Sequence, residues 1–132
     1  MSIENCPCGR NVTYNNCCKK AHKDISSVKT AENLMRSRYS AFVLGNVDYL
    51  MLSWSSKTRD TSAKAKKELK NWAKSVTWVK LEVLNADNGL DNHTTGTVAF
   101  KAFFYENGKL ECIQENSFFE KEHNHWVYVA EA

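Results

Sequence analysis

The chain has 132 residues, of which 42% are hydrophobic and 25% are charged, and this composition is ordinary for a globular protein. The length suffices for one two-layer domain and a small additional motif. The net charge of +3 is mild. No apolar run approaches the roughly 20 residues that span a bilayer, and residues 1–5 lack the basic and apolar regions of a secretory signal. The sequence therefore argues against a membrane span, and we expect a cytoplasmic protein.

The first predicted element is a metal site, because four of the five cysteines lie within the first 18 residues. They form two close pairs, Cys6 with Cys8 and Cys17 with Cys18, and eight residues separate the pairs. Four thiolates at this spacing can surround one Zn²⁺ tetrahedrally, with each sulfur about 2.3 Å from the metal. Because protein ligands would fill all four positions, the sequence predicts a structural zinc site rather than a hydrolytic one.

Other uses of these cysteines remain open. Each cysteine of the second pair could form a disulfide with one of the first pair, although a reducing cytosol favours metal and Cys112 would be left over. Redox catalysis is another use, but the Cys-x-x-Cys spacing of thioredoxin-like sites is absent. His22 lies four residues after Cys18. It could replace one cysteine as a ligand, or lie at the surface or beside the metal site.

The cysteine run also resembles a known motif. Residues 6–18 read Cys-Pro-Cys-Gly-Arg-Asn-Val-Thr-Tyr-Asn-Asn-Cys-Cys. This run is similar to the SEC-C zinc motif, which occurs at the C-terminal tail of the SecA translocation motor and in many small bacterial proteins. The usual motif has Ser-Gly-Lys where this chain has Arg-Asn-Val at 10–12. The resemblance implies a zinc ion held by the four cysteines, and a protein partner such as a chaperone, a ribosome or a nascent chain.

A polar segment and a helix follow the cysteines. Residues 20–29 have the composition of a linker. Thr30 can act as the N-cap of a helix over 31–44, and Gly45 is placed to end that helix in the left-handed conformation.

Two further helices are predicted before the chain changes its pattern. Asn46 can cap a short helix that runs to about Trp54, and a third helix is expected over about 62–74. Lysines recur along the third helix, at 64, 66, 67, 70 and 74. A solvated helix face explains them more simply than a nucleic-acid surface.

From Val76 onward the hydrophobic period is two, which indicates strands. We expect strands over about 76–86, 95–105, 110–120 and 125–130. The turn signals between them are Asp87-Asn88-Gly89, Asn107-Gly108 and His123-Asn124. Three helices followed by a strand meander predict an α+β fold, in which a curved antiparallel sheet packs around the helices as a cone. We assign residues 1–22 to the metal motif and residues 30–132 to the cone.

Arg38 is the charged residue that the pattern places on the apolar side of the first long helix. That side is formed by Ala31, Leu34, Met35 and Phe42. A buried charge needs a partner, because leaving it isolated costs several kcal/mol. In the third predicted strand, Glu115 alternates onto the same face as Ile113 and Phe119. We therefore predict that Arg38 and Glu115 meet inside the cone, with Ser117 close by.

Three interpretations of Arg38 remain open. The guanidinium could reach the rim of the cone while its stem packs, or it could form a purely structural buried ion pair. It could also bind a small anionic or polar molecule in a pocket. The candidate pocket residues are Arg38, Tyr39, Trp54, Glu115 and Ser117, although Trp54 suits core packing as well.

A second resemblance covers nearly the whole chain. Residues 31–42, which read Ala-Glu-Asn-Leu-Met-Arg-Ser-Arg-Tyr-Ser-Ala-Phe, look like the signature of the YchJ-like family of small bacterial proteins. Further matches are Tyr49-Leu50 with Trp54, Gly96-Thr97-Val98, Glu115-x-Ser117-x-Phe119 and Trp126-Val127-Tyr128-Val129. The resemblance implies an N-terminal SEC-C motif followed by a cystatin-like cone of the nuclear transport factor 2 (NTF2) type. Ser55 and Gln114 stand where the family often has histidine, so no acid–base role passes to those places.

These features lead to two hypotheses of function. The first is a non-enzymatic zinc-binding protein, with the motif as an interaction module and the cone as a scaffold or a small-ligand receptor. The second is a small-molecule enzyme of the isomerase or hydrolase type that works around Arg38 and Glu115. A dimer through the open face of the sheet remains open.

Overall fold

A computed structural model describes residues 5–132, so the first four residues of the predicted motif lie outside the described part. The elements in chain order are α1 (Cys18–Lys23), α2 (Ala31–Leu44), α3 (Val47–Leu52), α4 (Ala63–Ser75), β1 (Thr77–Asn88), β2 (Thr95–Glu106), β3 (Lys109–Glu122) and β4 (His125–Glu131). Helices pack on a four-stranded antiparallel sheet, which confirms the predicted α+β cone. Within residues 5–132, no helix is both long and apolar enough to cross a membrane.

The helices begin and end at the residues that the capping signals predict. The Thr30 hydroxyl accepts a hydrogen bond from the backbone N–H of Asn33 at 3.1 Å, and Gly45 ends α2 with φ = 70°. Asn46 and Ser62 cap α3 and α4 through their side-chain oxygens in the same way. Each cap satisfies a backbone N–H that the helix itself leaves without a partner. The caps at Thr30 and Gly45 fix where α2 starts and stops, and α2 carries Arg38 and Tyr39 of the candidate pocket.

The sheet is a meander in the order β1-β2-β3-β4, with every pair antiparallel. Asn107-Gly108 and His123-Asn124 form the two tightest turns, and all four residues have positive φ. Positive φ at both central positions is the geometry of type I′ hairpins, whose twist matches that of the strands. Register shifts interrupt β1 twice and the β3–β4 pairing once. Such bulges bend strands, which lets the sheet curve around α2.

The main core lies between α2 and the concave face of the sheet. Its fully buried members include Leu34, Leu50, Val98, Phe119 and Trp126. The first half of β3 extends beyond this packing, and residues 109–114 are exposed. Cys112 lies in that half and is exposed.

The linker predicted over 20–29 is wrong. Residues 18–23 form α1, and a 3-10 turn occupies residues 25–27. Ala21 and Val28 are buried in the same apolar core as Leu34. The composition of the segment did not predict this packing, because Ala21 and Val28 are the only strongly buried residues in an otherwise polar stretch. The cysteine motif is therefore held against α2 instead of hanging on a flexible tether.

Candidate metal centre and cavity

The sulfur atoms of Cys6, Cys8, Cys17 and Cys18 form a compact cluster, and all four lie within 4.8 Å of one another. The Cys8–Cys17 sulfurs are 3.6 Å apart, and the Cys17–Cys18 sulfurs are 4.0 Å apart. Four sulfurs around one ion at about 2.3 Å are separated by about 3.8 Å in a regular tetrahedron. All five cysteines are free, and 3.6 Å is far beyond the disulfide bond of about 2.05 Å. The cluster thus has the donor set and spacing for one metal ion.

A short turn builds the cluster. The backbone N–H of Cys6 bonds the Val12 carbonyl at 2.6 Å, and the N–H of Gly9 bonds the Cys6 carbonyl at 3.2 Å. Gly9 adopts φ = 95°, a conformation that strains any residue with a Cβ. The following 3-10 turn delivers Cys17 and Cys18 to the start of α1. Cys6, Cys8 and Cys18 are buried, whereas Cys17 is only half-buried.

The electrostatics of the four thiols favour a cation at the centre. The hydrogen bond from Cys18 is the main reason that the pKa of Cys8 falls to about 5. Burial, with the charge of Cys8 as a second cause, raises the pKa of Cys17 to about 11. The hydrogen bond to Cys8 likewise raises the pKa of Cys18. Cys17 and Cys18 thus keep their protons beside the Cys8 thiolate, and a bound divalent ion would supply the charge that four thiolates need.

His22 does not serve as a fourth ligand. Its Nε2 lies 2.8 Å from the backbone carbonyl of Ser37, and its Nδ1 lies 2.7 Å from the Tyr14 hydroxyl. Because the carbonyl can only accept, Nε2 carries the proton and Nδ1 accepts from the hydroxyl. Both ring nitrogens are therefore engaged, and burial lowers the pKa of this imidazole. The structure overturns the option that His22 replaces a cysteine, and places it as a bridge from the motif to α2.

Side chains of α2 form a shell around the cluster that the sequence did not predict. Arg36 donates from Nη1 to the Cys8 carbonyl at 2.8 Å and from Nε to Glu32 at 3.0 Å. Glu32 also pairs with Arg10 of the motif at 3.4 Å. The Ser40 hydroxyl lies 3.5 Å from the Cys6 sulfur. The side of α2 that carries Arg36 is therefore covered by the motif.

Substituting Arg36 with leucine is expected to lower the metal affinity by about 10-fold or more, because outer-shell partners of metal ligands typically contribute 10- to 100-fold. The change removes the donor that holds the Cys8 backbone. Competition with a chromophoric chelator measures the affinity. Arg59→Leu is the matched control, since Arg59 donates to the Met51 carbonyl of α3 instead. Equal affinities of the two variants would contradict this role of Arg36.

A cavity of about 180 Å³ lies between α2, α4 and the sheet. Of the described residues, twelve line it: Met35, Arg38, Tyr39, Phe42, Trp72, Trp78, Phe100, Ala102, Ile113, Glu115, Ser117 and Tyr128. Four of the five candidate pocket residues are among them, namely Arg38, Tyr39, Glu115 and Ser117. The fifth, Trp54, is not.

Trp54 lies outside the cavity because its segment extends the sheet. A backbone bridge joins Trp54 to Tyr128 of β4 in parallel. The flanking hydrogen bonds run from Ser55 N–H to the Tyr128 carbonyl at 2.7 Å and from Tyr128 N–H to the Ser53 carbonyl at 2.8 Å. This short segment covers the exposed edge of β4, an edge that sheets commonly protect. In the described chain, the buried indole Nε1 of Trp54 has no hydrogen-bond partner.

Arg38 and Glu115 do not form the ion pair that we predicted. Among residues 5–132, no salt bridge joins them, and Arg38 donates from Nη1 to the Leu50 carbonyl at 2.9 Å and to the Ser53 hydroxyl at 2.8 Å. Both acceptors lie at the C-terminal end of α3, where cations are favoured by the helix dipole. Arg38 is 7% exposed, which also overturns the option that its guanidinium reaches the rim.

Tyr128 lies between the two charges. The Arg38 guanidinium carbon is 4.9 Å from the centre of the Tyr128 ring, and the Tyr128 hydroxyl donates to Glu115 at 3.3 Å. Glu115 also accepts a hydrogen bond from Ser117. Burial, with the charge of Glu115 as a second cause, raises the pKa of Tyr128 to about 12. Tyr128 therefore stays protonated as a donor, and the sequence had marked it only as part of the last strand's motif.

Comparison with known proteins assigns the chain to a family. The model of the YchJ middle NTF2-like domain matches residues 30–131. A UPF0225 protein of Vibrio parahaemolyticus is 45% identical over 126 residues, which are 94% of this chain and 72% of that protein. A UPF0225 protein of Streptomyces coelicolor is 42% identical over 129 residues, which are 98% of this chain and 95% of that one.

Two solved structures share the whole architecture. The solution structure of a SEC-C motif containing protein from Rhodopseudomonas palustris has a TM-score of 0.82 at 29% identity, and the match covers 98% of both chains. The crystal structure of a SEC-C motif containing protein from Psychrobacter arcticus has a TM-score of 0.77 at 30% identity, and it covers 97% of this chain and 81% of that one. The chain therefore belongs to the YchJ-like family of UPF0225 proteins, with an NTF2-like domain behind a cluster of four cysteines.

Proposed function

We propose that this protein is a cytoplasmic zinc-binding protein that recognises a protein partner through its cysteine motif. Residues 1–22 would be the interaction module, and residues 30–132 would be the scaffold that presents it. The observation that carries the proposal is the four-sulfur cluster docked on α2. Four sulfur donors suit zinc or iron, and a closed, buried tetrathiolate is typical of structural zinc.

A groove beside the cluster supports a specific kind of partner. It has a volume of about 260 Å³ and lies between the motif and α2. Arg10, Lys20 and Arg36 are among its lining residues, and within residues 5–132 no carboxylate lines it. Two of these cations share one partner, Glu32, so the groove keeps a positive surplus. This charge fits a protein segment that carries acidic side chains, and chaperones, ribosomal proteins and nascent chains are the partner classes that the SEC-C resemblance suggests.

The test compares partner capture and metal content in the same preparations. Tagged wild-type protein is expected to hold about one zinc per chain by elemental analysis and to capture its partner from a cell extract. The double variant Cys17→Ser, Cys18→Ser is expected to lose both, because two of the four ligands are gone. Capture that survives complete metal removal would overturn the proposal, and stoichiometric iron in place of zinc would overturn the choice of metal.

Two further variants separate the metal from the groove. Cys112→Ser changes an exposed thiol outside the cluster, so both zinc and capture are expected to persist. Lys20→Glu reverses a charge of the groove without touching a ligand. It is expected to keep zinc and to lose capture, since an acidic segment would then be repelled. Undiminished capture by Lys20→Glu would contradict the groove as the docking site.

An enzyme of the isomerase or hydrolase type is the second candidate, and the cavity favours it. Glu115 with the Tyr128 hydroxyl is the acid–base pair that the lining offers. The twelve lining residues include no histidine and no aspartate. We place this candidate second because histidine is the residue that general acid–base catalysis uses most often, and aspartate is another common choice.

A further inference from the structure

Arg38 has more hydrogen-bond donors than the protein uses. A guanidinium carries five N–H donors. In residues 5–132, only its Nη1 makes hydrogen bonds, to Leu50 and Ser53. The donors on Nε and Nη2 have no acceptor in that part of the chain, and they are not among its fully buried polar atoms without a partner. These donors are therefore not fully buried, and Arg38 is one of the residues that line the cavity.

The charge of Arg38 is also unbalanced at close range. The side chain is 7% exposed, and no carboxylate lies within 4.0 Å of it in the described chain. Burial lowers its pKa to about 10, so it stays positive at neutral pH. Buried arginines are normally paired with an anion. Glu115, by contrast, is half-exposed and already accepts from Ser117 and Tyr128. An anionic oxygen of a ligand at this polar end of the cavity would therefore pair with the charge of Arg38.

The rest of the cavity wall is largely aromatic and suits an apolar ring. Its aromatic lining residues are Tyr39, Phe42, Trp72, Trp78, Phe100 and Tyr128. The rings of Trp72 and Trp78 are nearly perpendicular, and their centres are 5.5 Å apart. This edge-to-face packing fixes the orientation of each ring. Benzene fills an apolar cavity of about 150 Å³. The 180 Å³ found here therefore has room for one ring and a small substituent.

We propose that this cavity binds a small monocarboxylate with a single aromatic ring, whose carboxylate accepts from the free donors of Arg38. The proposal extends the proposed function by naming a ligand class for the cone, and it does not depend on the partner. Glu115 lies at the more exposed side of the cavity, with Ile113. Its negative charge disfavours a second carboxylate on the ring, so monocarboxylates are preferred over dicarboxylates.

Benzoate is the probe, and zinc-loaded full-length protein is titrated with it while the indole N–H signals of Trp72 and Trp78 are followed by NMR. Benzoate is expected to bind about 10-fold or more tightly than benzamide, because a charged hydrogen bond is worth more than a neutral one. Arg38→Gln is expected to remove that preference. Arg59→Gln is the matched control: it takes a similar donor from the end of α3, outside the cavity, and the preference is expected to stay.

A second variant keeps the test decisive if Arg38→Gln fails to fold. Ala102→Leu fills the cavity from β2 with both charges intact, and it is expected to block both probes. Absence of indole shifts with millimolar benzoate, or equal shifts in Ala102→Leu, would overturn the proposal. Zinc content and partner capture are measured on the same samples. Protein that keeps both but ignores benzoate overturns this inference alone, whereas loss of zinc or capture bears on the proposed function alone.

Discussion

Replacing Cys8 with serine is expected to abolish stoichiometric metal binding and to lower the stability of the remaining fold. Cys8 is fully buried within the cluster, and its loss leaves three of the four sulfur ligands. Structural zinc contributes about 10–16 kcal/mol of apparent binding free energy in zinc-finger peptides, so the motif is expected to unfold. Three docking contacts would then be lost, at Arg36, His22 and Ser40. At about 1 kcal/mol each, they predict a loss of about 3 kcal/mol for the cone, which stays folded.

Elemental analysis gives the metal content of the Cys8→Ser variant, and thermal unfolding followed by circular dichroism gives the stability. Chelator-treated wild type is expected to match the variant. Cys112→Ser removes the exposed thiol of β3 and is expected to behave like wild type. A Cys8→Ser protein that retains one metal per chain would show that the cluster is not the metal site.

Gly96→Ala is expected to destabilise the fold by about 3 kcal/mol or more, at the upper end of overpacking effects. Gly96 pairs with Asn88 across β1 and β2. A Cβ at Gly96 would lie 2.5 Å from the backbone nitrogen and Cα of Gly89. Backbone atoms cannot swing aside as a flexible side chain can. The Gly89 carbonyl also accepts from the N–H of Ala31, so a shift there would displace the start of α2.

Urea unfolding at equilibrium measures this effect, and Gly108→Ala is the matched control. Gly108 has φ = 78°, but a Cβ there meets nothing within 4 Å. Its substitution carries only the cost of a left-handed conformation, about 1 kcal/mol. If the two variants lose the same stability, close packing at Gly96 is not the reason for glycine in this strand.

Local signals account for the parts of the fold that the sequence predicted well. Thr30, Gly45 and Asn46 act on backbone groups within four residues, so their effect does not depend on the rest of the fold. The period-two pattern after Val76 likewise reflects one buried face of a strand. The choice of cone, rather than another α+β arrangement, came from the family resemblance and not from these local rules.

The contacts that the sequence did not predict join residues that are far apart in the chain. Their acceptors are backbone carbonyls and a serine hydroxyl, which leave no recognisable pattern in the sequence. Arg36 and the Cys8 carbonyl are 28 positions apart, and a backbone carbonyl is present at every residue. Arg38 was matched to Glu115 by charge, but the carbonyl of Leu50 and the hydroxyl of Ser53 hold it instead. Charge complementarity identifies obvious partners, whereas helix ends offer equally good acceptors that only the fold brings into reach.

Helix α2 faces the cysteine motif on one side and the cavity on another. Arg36 and Ser40 face the cysteine motif, whereas Arg38 and Tyr39 line the cavity. Eight of its fourteen residues are buried. A substitution that suits one neighbour must therefore suit the other as well, so neutral changes have few places to accumulate. We expect sequence drift among homologues to be slowest in α2 and fastest in α4, whose residues are mostly exposed.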